Sequence, residues 1–470
     1  MTMLELAQQH DVFQADFDQL QARGEGSPDA AGWLAPLRAE ALRQFRAVGW
    51  PGPDDEEWRF TSVKPISDMA FSFAPDGRES VSPAAVAPHR IAGAIELVFV
   101  NGVHRPELSL VPASSVPGAQ VLSLAEALRR DPVFVRAHLA RYARARDDAF
   151  TALNTAFIYD GASIHVAAGA ALEAPIHLLF LSSSGPSGAA LAARVSHPHN
   201  LVVAGSASRV TVIEDYVALD EGVYWSNAVT EVVVGPGAHV QHYLLEHDSE
   251  QAFNVETLRV VQAAESHFES HTALFGGALV RNNIHVDLAG DDCHSLVNGL
   301  FVGRGRQHMD NHMHVVHAGL RGASRQFYHG ILDGQARGVF TGRILVRPGA
   351  QQTDAKQTNR NLLLSDEARI DTRPQLEIYA DDVKCTHGAT TGRLDQAAAF
   401  YLQARGLSPE TARALLIYAF ARAGLERMPC APVRARLERQ LLERLPHAPF
   451  LRAALGGPES PGAEGRPIIP

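Results

Sequence analysis

From about residue 162 to 385 the chain keeps a hydrophobic period of two, with no helical interlude, and this restricts the folds open to it. Short segments rich in Val, Ile and Leu run repeatedly into Gly-containing corners. Ile164–Val166 leads to Gly169, Leu201–Val203 to Gly205, and Val232–Val234 to Gly235-Pro236-Gly237. Ile284–Leu288 then leads to Gly290 and Ile344–Val346 to Gly349. Alternate residues of a strand face opposite sides, so such a quasi-repeat buries its apolar side only by stacking on copies of itself. The expected core is a parallel β-helix with inward Val, Ile and Leu ladders and glycines at the corners. A jelly roll is the competing arrangement with the same periodicity.

The flanks read differently. Residues 1–48 form two helices separated by Gly24 to Pro28, the second with Trp33, Leu34, Leu37, Ala41, Leu42 and Phe45 on one face. Glu96–Val100 reads as a strand ending in the hairpin dipeptide Asn101-Gly102. Ser123 and Glu126 form a capping box before the next helix. Beyond Gly392 the pattern is helical again: Leu394 to Ala404, then a helix opened by Ser408-Pro409, then one marked by Val433, Leu437, Leu441 and Leu445. The resulting division is a mostly helical region over 1–160, a β core over 161–392, a helical region over 393–455 and a disordered tail over 456–470.

Composition narrows the function. A net charge of −10 argues against a nucleic-acid or anionic-membrane surface as the main partner. No apolar run is long enough to cross a membrane, and the first residues lack the basic and apolar regions of a signal peptide. Three scattered cysteines do not make a disulfide framework, which fits a reducing, cytoplasmic setting. The chain has no P-loop and no G-x-G-x-x-G after a strand, so it should bind no nucleotide itself, and it has no G-x-S-x-G elbow or H-E-x-x-H.

Two constellations could carry chemistry. In Val383-Lys384-Cys385-Thr386-His387, Cys385 and His387 are two apart and share a strand face. They could hold a soft or borderline metal, form a nucleophile and base, or be a buried thiol beside a hydrogen-bonded imidazole. His308, Asp310, His312 and His314 share one strand parity and His317 has the other, as in a metal-binding ladder or a solvated outer face. Asp291-Asp292-Cys293-His294 falls at a corner, Cys430 lies between helices, and Asp54 to Glu57 form an acidic turn before the apolar Trp58 and Phe60. Glu214-Asp215 and Asp287 are the carboxylates a β-helix hydrolase or lyase would use, and the histidine ladder is what a cupin-like metal enzyme would use.

The stretches Gln357–Ile378 (QTNRNLLLSDEARIDTRPQLEI), Leu376–Asp395 (LEIYADDVKCTHGATTGRLD) and Phe400–Ser408 (FYLQARGLS) closely resemble the C-terminal core of the SufB/SufD family of iron–sulfur assembly proteins. Glu56-Glu57-Trp58-Arg59-Phe60-Thr61 resembles that family's E-x-W-[KR]-[FY]-T element. The resemblance covers most of the chain and is strongest from Gly338 to Ala421. It implies a right-handed parallel β-helix between helical regions. It also implies a non-enzymatic scaffold paired with a SufB-like subunit and served by a SufC-like ABC ATPase that docks on the C-terminal helices. In that family the transient cluster forms where the two subunits meet, between a SufB cysteine and a SufD histidine. The histidine corresponds to His387, with Cys385 beside it. Asn361-Leu362-Leu363-Leu364-Ser365-Asp366 has leucines where SufB has its thiol, which points to the SufD branch. A homodimer is the arrangement left open to the isolated chain.

Overall fold

A computed structural model describes residues 3–22, 32–73, 80–112, 116–185 and 193–444. The tail expected at 456–470 and Leu445 of the last expected helix lie outside them. The core is a parallel β-solenoid of about seven turns, each giving one strand to either of two sheets. One sheet runs through Ala162–Val166, His199–Ala204, Tyr224–Val234, Phe253–Gln262, Leu279–Leu288, His308–His317 and Arg337–Val346 to Arg369–Ile378. The other runs through Ile176–Ser182, Arg209–Ala218, His239–His247, His267–Leu274, His294–Gly303, Ala323–Leu332 and Thr353–Leu363 to Val383–Gly392. Neighbouring strands are parallel and in register, so ladders such as Val232, Val260, Val286 and Val315 fill the space between the sheets. This stacking is the parallel β-helix and excludes the jelly roll, whose strands are antiparallel.

The corners depart from expectation. The equivalent position of six successive turns is left-handed, with φ between 55° and 65°, and is occupied by Ala207, Gly237, Glu265, Asp292, Arg321 and Gln352. Only one of the six is glycine. The conformation aims each N–H along the solenoid axis at a carbonyl of the next corner. Glu265 donates to Asp291 at 2.8 Å, Asp292 to Leu320 at 2.9 Å and Arg321 to Gln351 at 2.9 Å. A left-handed residue costs about 1–2 kcal/mol, and a hydrogen bond of this kind offsets about 1 kcal/mol of it. Glycine is needed instead where corner backbones touch: a Cβ on Gly290 would lie 2.1 Å from Ala264 N, and one on Gly319 2.0 Å from Gly290 O.

Helices cover the outer faces. On the first sheet, Phe13, Phe45, Trp58, Phe150 and Phe157 pack with Trp225, Phe253 and Val255. On the second, Pro409–Leu425 and Ala431–Arg444 press Ile417, Leu425 and Leu437 onto Tyr243, Phe275, Leu300 and Ile331. The hairpin at Asn101-Gly102 forms, but its strand Ile95–Val100, inside the region read as helical, extends the second sheet in parallel with Ile176–Ser182. At one end of the solenoid the outermost strands are antiparallel to their neighbours, Val103–His104 on one sheet and Ala119–Ser123 on the other. At the other end Arg369–Ile378 and Val383–Gly392 each have a neighbour on one side only.

Candidate functional site

The open end carries the Cys-x-His segment. Asp381-Asp382 turns the backbone and is stitched to the preceding corner, with the Asp382 carbonyl accepting from Gln352 N–H at 2.6 Å and Asp382 N–H donating to Gln351 Oε1 at 2.9 Å. The strand then runs with Cys385 opposite Ala355 and His387 opposite Gln357. Ala355 belongs to the lumen core, so both Cys385 and His387 have inward parity, but no further turn covers them. Cys385 is half-buried against the core and His387 is exposed. Burial, with a smaller contribution from Asp354, pushes the Cys385 thiol above its ordinary pKa, so at neutral pH it is a neutral thiol and not a thiolate. No third His, Cys or carboxylate among the described residues closes a three-donor set with this pair. At the corner that leads into this strand, Ile378 and Tyr379 are exposed apolar side chains, Tyr379 63% accessible, and Phe400 on the following helix is 72% accessible.

The histidine ladder and the Glu56–Thr61 element, far apart in sequence, meet on the outer face of the first sheet. His308, Asp310, His312 and His314 face outward, whereas Met309, Met313 and Val315 fill the lumen. The Thr61 hydroxyl donates to Asp310 Oδ2 at 2.6 Å and lies 2.9 Å from His308 Nε2. Arg281 donates to the same Asp310 oxygen at 2.5 Å while its guanidinium lies 3.8 Å above the Trp58 ring. His312 Nε2 is 2.5 Å from Glu57 Oε2, and chiefly through that bond the Glu57 carboxyl is held down to about 2. His312 and His314 line one cleft of about 330 Å³ with Glu57, His285, Arg259 and Arg343, and the His314 pKa is lowered to about 4 by burial and then by Arg343. His317 points the other way, into the core, 2.8 Å from the Ser324 hydroxyl. His312 and His314 are therefore brought together at one cleft, and His317 is turned away from both. Arg281 and His285, from the neighbouring strand, complete this patch. Nothing in their local sequence marks them, because the patch exists only once the turns stack.

The remaining candidates separate. Glu214 points into the lumen, and its neighbour Asp215 points out, to Arg436 at 2.5 Å. Asp287 lies on the other sheet, so no catalytic groove gathers these carboxylates. Cys293 is buried at its corner, 3.0 Å from the Ala263 carbonyl, with its thiol pushed up by burial. His294 stacks outside on His267 at 4.6 Å, which stacks on His239 at 4.2 Å, so Cys293 and His294 are no pair. Cys430 sits at the joint of the last two helices, its N–H donating to Tyr243 Oη at 2.9 Å. Among the described residues no helix is long and apolar enough to cross a membrane.

Known proteins give this geometry its setting. Residues 187–420 match the profile of the SUF system FeS cluster assembly SufBD core domain, and residues 21–178 match the SufBD protein N-terminal region. An iron–sulfur cluster assembly SufBD family protein of Synechocystis is 34% identical over 430 residues, 89% of this chain and 92% of that one. The chloroplastic protein ABCI7 of Arabidopsis thaliana is 31% identical over 87% of this chain and 85% of its own. The iron–sulfur cluster assembly protein SufD of Escherichia coli is 28% identical over 88% of this chain and 93% of its own. With its solenoid, flanking helices and Cys-x-His edge strand, the chain belongs to the SufBD family of iron–sulfur cluster assembly proteins.

Proposed function

We propose that this chain is a scaffold subunit without catalytic activity of its own. It joins a SufB-like subunit through its open end and holds the nascent cluster, its cargo, where the two meet. The supporting observation is the pair of unpaired edge strands at one end of the solenoid, one of them presenting His387. An unpaired strand edge is a template for another chain, and a homologous solenoid offers matching strands. The exposed Ile378 and Tyr379 at the end of one edge strand add apolar surface that such a partner would cover. Iron–sulfur clusters are held mainly by thiolates. The neutral, half-buried Cys385 is a poor donor, so the thiolate is the partner's, and His387 supplies one weaker ligand, fitting for a cluster that must leave. The last two helices, packed on the second sheet, carry the docking surface for a SufC-like ABC ATPase, whose ATP-driven motion opens the subunit interface.

The test is co-expression of His387→Ala with SufB-like and SufC-like partners, anaerobic purification, and measurement of complex yield, iron and sulfide. An intact complex that has lost its cluster supports the assignment. An intact complex with normal iron and sulfide refutes the ligand role, and failure of the unmodified chain to capture either partner refutes the scaffold role.

A further inference from the structure

Inside the solenoid, away from the open end, lies a polar group of a kind that apolar lumens exclude. Glu214 comes from the strand Arg209–Ala218, His242 from the next strand of the same sheet, and Glu256 from Phe253–Gln262 of the facing sheet. All three share the inward parity of Val212, Val240 and Leu258. One donor atom from each falls within 4.8 Å of the others, and all three residues are buried.

The surroundings orient two of the three. Glu214 Oε1 accepts from the Thr230 hydroxyl at 2.7 Å and lies 3.0 Å from His242 Nε2, while its Oε2 accepts from Asn200 at 3.0 Å and Tyr216 at 3.1 Å. His242 Nδ1 is 3.1 Å from Ser270 Oγ, the outer partner that commonly fixes the ring of a metal-bound imidazole. Glu256 is different. Its Oε1 is buried with no hydrogen-bond donor. So are Asn254 Oδ1, two residues earlier on the same face, and Asn282 Oδ1, on the residue paired with Glu256 in the next strand. The side chains acting most strongly on Glu256 are themselves carboxylates, Glu214, Glu246 and Asp248, with no arginine or lysine among them. A buried carboxylate without a counter-charge costs several kcal/mol. Without an ion, burial and then Glu214, which shares a hydrogen bond with it, push the Glu256 carboxyl well above its ordinary range, so it holds a proton; the surplus buried acceptors around it leave a place that a cation could take instead.

We infer that Glu214, His242 and Glu256 bind one divalent first-row transition-metal ion, of the class of Zn²⁺, Fe²⁺ or Mn²⁺, as a resident ion between the two sheets. One imidazole and two carboxylates suit these metals better than Ca²⁺ or Cu⁺. The 3.0 Å between Glu214 and His242 donors is close to the roughly 3.3 Å edge of a tetrahedron with metal–ligand distances of about 2.0–2.1 Å. The ion would cross-link the sheets and exchange slowly, because no donor is open to solvent.

The test uses the full chain, made without a polyhistidine tag in medium supplemented with Zn²⁺, Fe²⁺ or Mn²⁺, with metal content read by mass spectrometry and thermal unfolding followed with and without chelator. The expected result is about one ion per chain, retained in His387→Ala and lowered at least roughly 10-fold in Glu256→Gln and in His242→Gln. Glutamine has the shape of a protonated glutamate. If Glu214 and Glu256 merely share a proton, Glu256→Gln leaves stability unchanged or raised and the parent chain takes up no ion; that result overturns the inference. So does an ion that stays at full occupancy in both variants. Retention in His387→Ala separates this site from the open end, so either assignment can fail without the other.

Discussion

Replacing Arg436 with methionine would test how the C-terminal helices are fastened to the solenoid. Its guanidinium reaches both oxygens of Asp215, at 2.5 and 3.2 Å, and donates to the His89 carbonyl at 3.0 Å. The two side chains are only 8% and 0% exposed. Asp215 also holds His177 at 3.1 Å, which bridges to Glu96 at 2.9 Å, and Glu96 meets Arg90. Burial pushes the Asp215 carboxyl up, but Arg436 and His177 together outweigh it and hold the group well below the ordinary carboxylate range. Removing one partner of a buried pair costs about 3–5 kcal/mol, because the other charge stays buried. His177 remains beside Asp215, so the lower end, about 3 kcal/mol, is expected at neutral pH. The effect should also depend on pH. Burial lowers the His177 pKa, yet its two carboxylate partners win and raise it above 6.5. Its charge therefore contributes fully below 6.5, and that contribution is lost as pH rises through the folded value. With Arg436 gone, Asp215 depends on His177 alone, so the deficit should widen as pH rises. Urea unfolding across that range measures it, and adding Asp215→Asn to Arg436→Met should restore most of the loss. A single variant within about 0.5 kcal/mol of the parent, or a double variant no more stable than the single, would refute this account.

Gly319→Ala should destabilise the solenoid by about 2 kcal/mol or more, since a Cβ 2.0 Å from Gly290 O forces stacked corners apart; thermal unfolding reads this directly. Acid should weaken the fold through histidines that burial keeps neutral: His197 is lowered to about 3 and His317 to about 4, from 6.5. The unfolded chain takes up protons first, so the stability they contribute is present above pH 6.5 and is lost as pH falls toward 4. His317→Gln should flatten that slope in a pH series of unfolding midpoints. Tyr379→Asp, at an exposed position, should leave the isolated chain's stability within about 0.5 kcal/mol while lowering capture of a SufB-like partner; equal capture would count against the open end as the interface.

How far the sequence could be read depended on whether a feature was local. The period-two pattern, the Asn101-Gly102 hairpin, the N-caps Ser123 and Ser408, and the shared face of Cys385 and His387 each depend on a few adjacent residues, and each appears as read. The opposite parity of His317 was equally legible. What was hidden came from stacking. Glu265 and Arg321 have little propensity for a left-handed corner and adopt it because the next turn accepts their N–H groups. Glu57 finds His312, and Trp58 finds Arg281, only when helix and sheet are assembled. The lumenal Glu214, His242 and Glu256 did leave a trace, since each occupies the parity of its strand's apolar residues. An acid on the inward phase of a solenoid strand is the signal to look for.

The two ends of the solenoid offer different templates to a further chain. At one end the outermost strands run antiparallel to their neighbours and break the parallel register that a further turn would continue, while at the other end both outermost strands keep it. A rod that can be extended from both ends polymerises, whereas one with a single receptive end is used up by its first encounter. Two such rods meeting at their parallel ends would leave only antiparallel strands facing outward. A pair joined in that way would offer a third rod no parallel strand edge to continue.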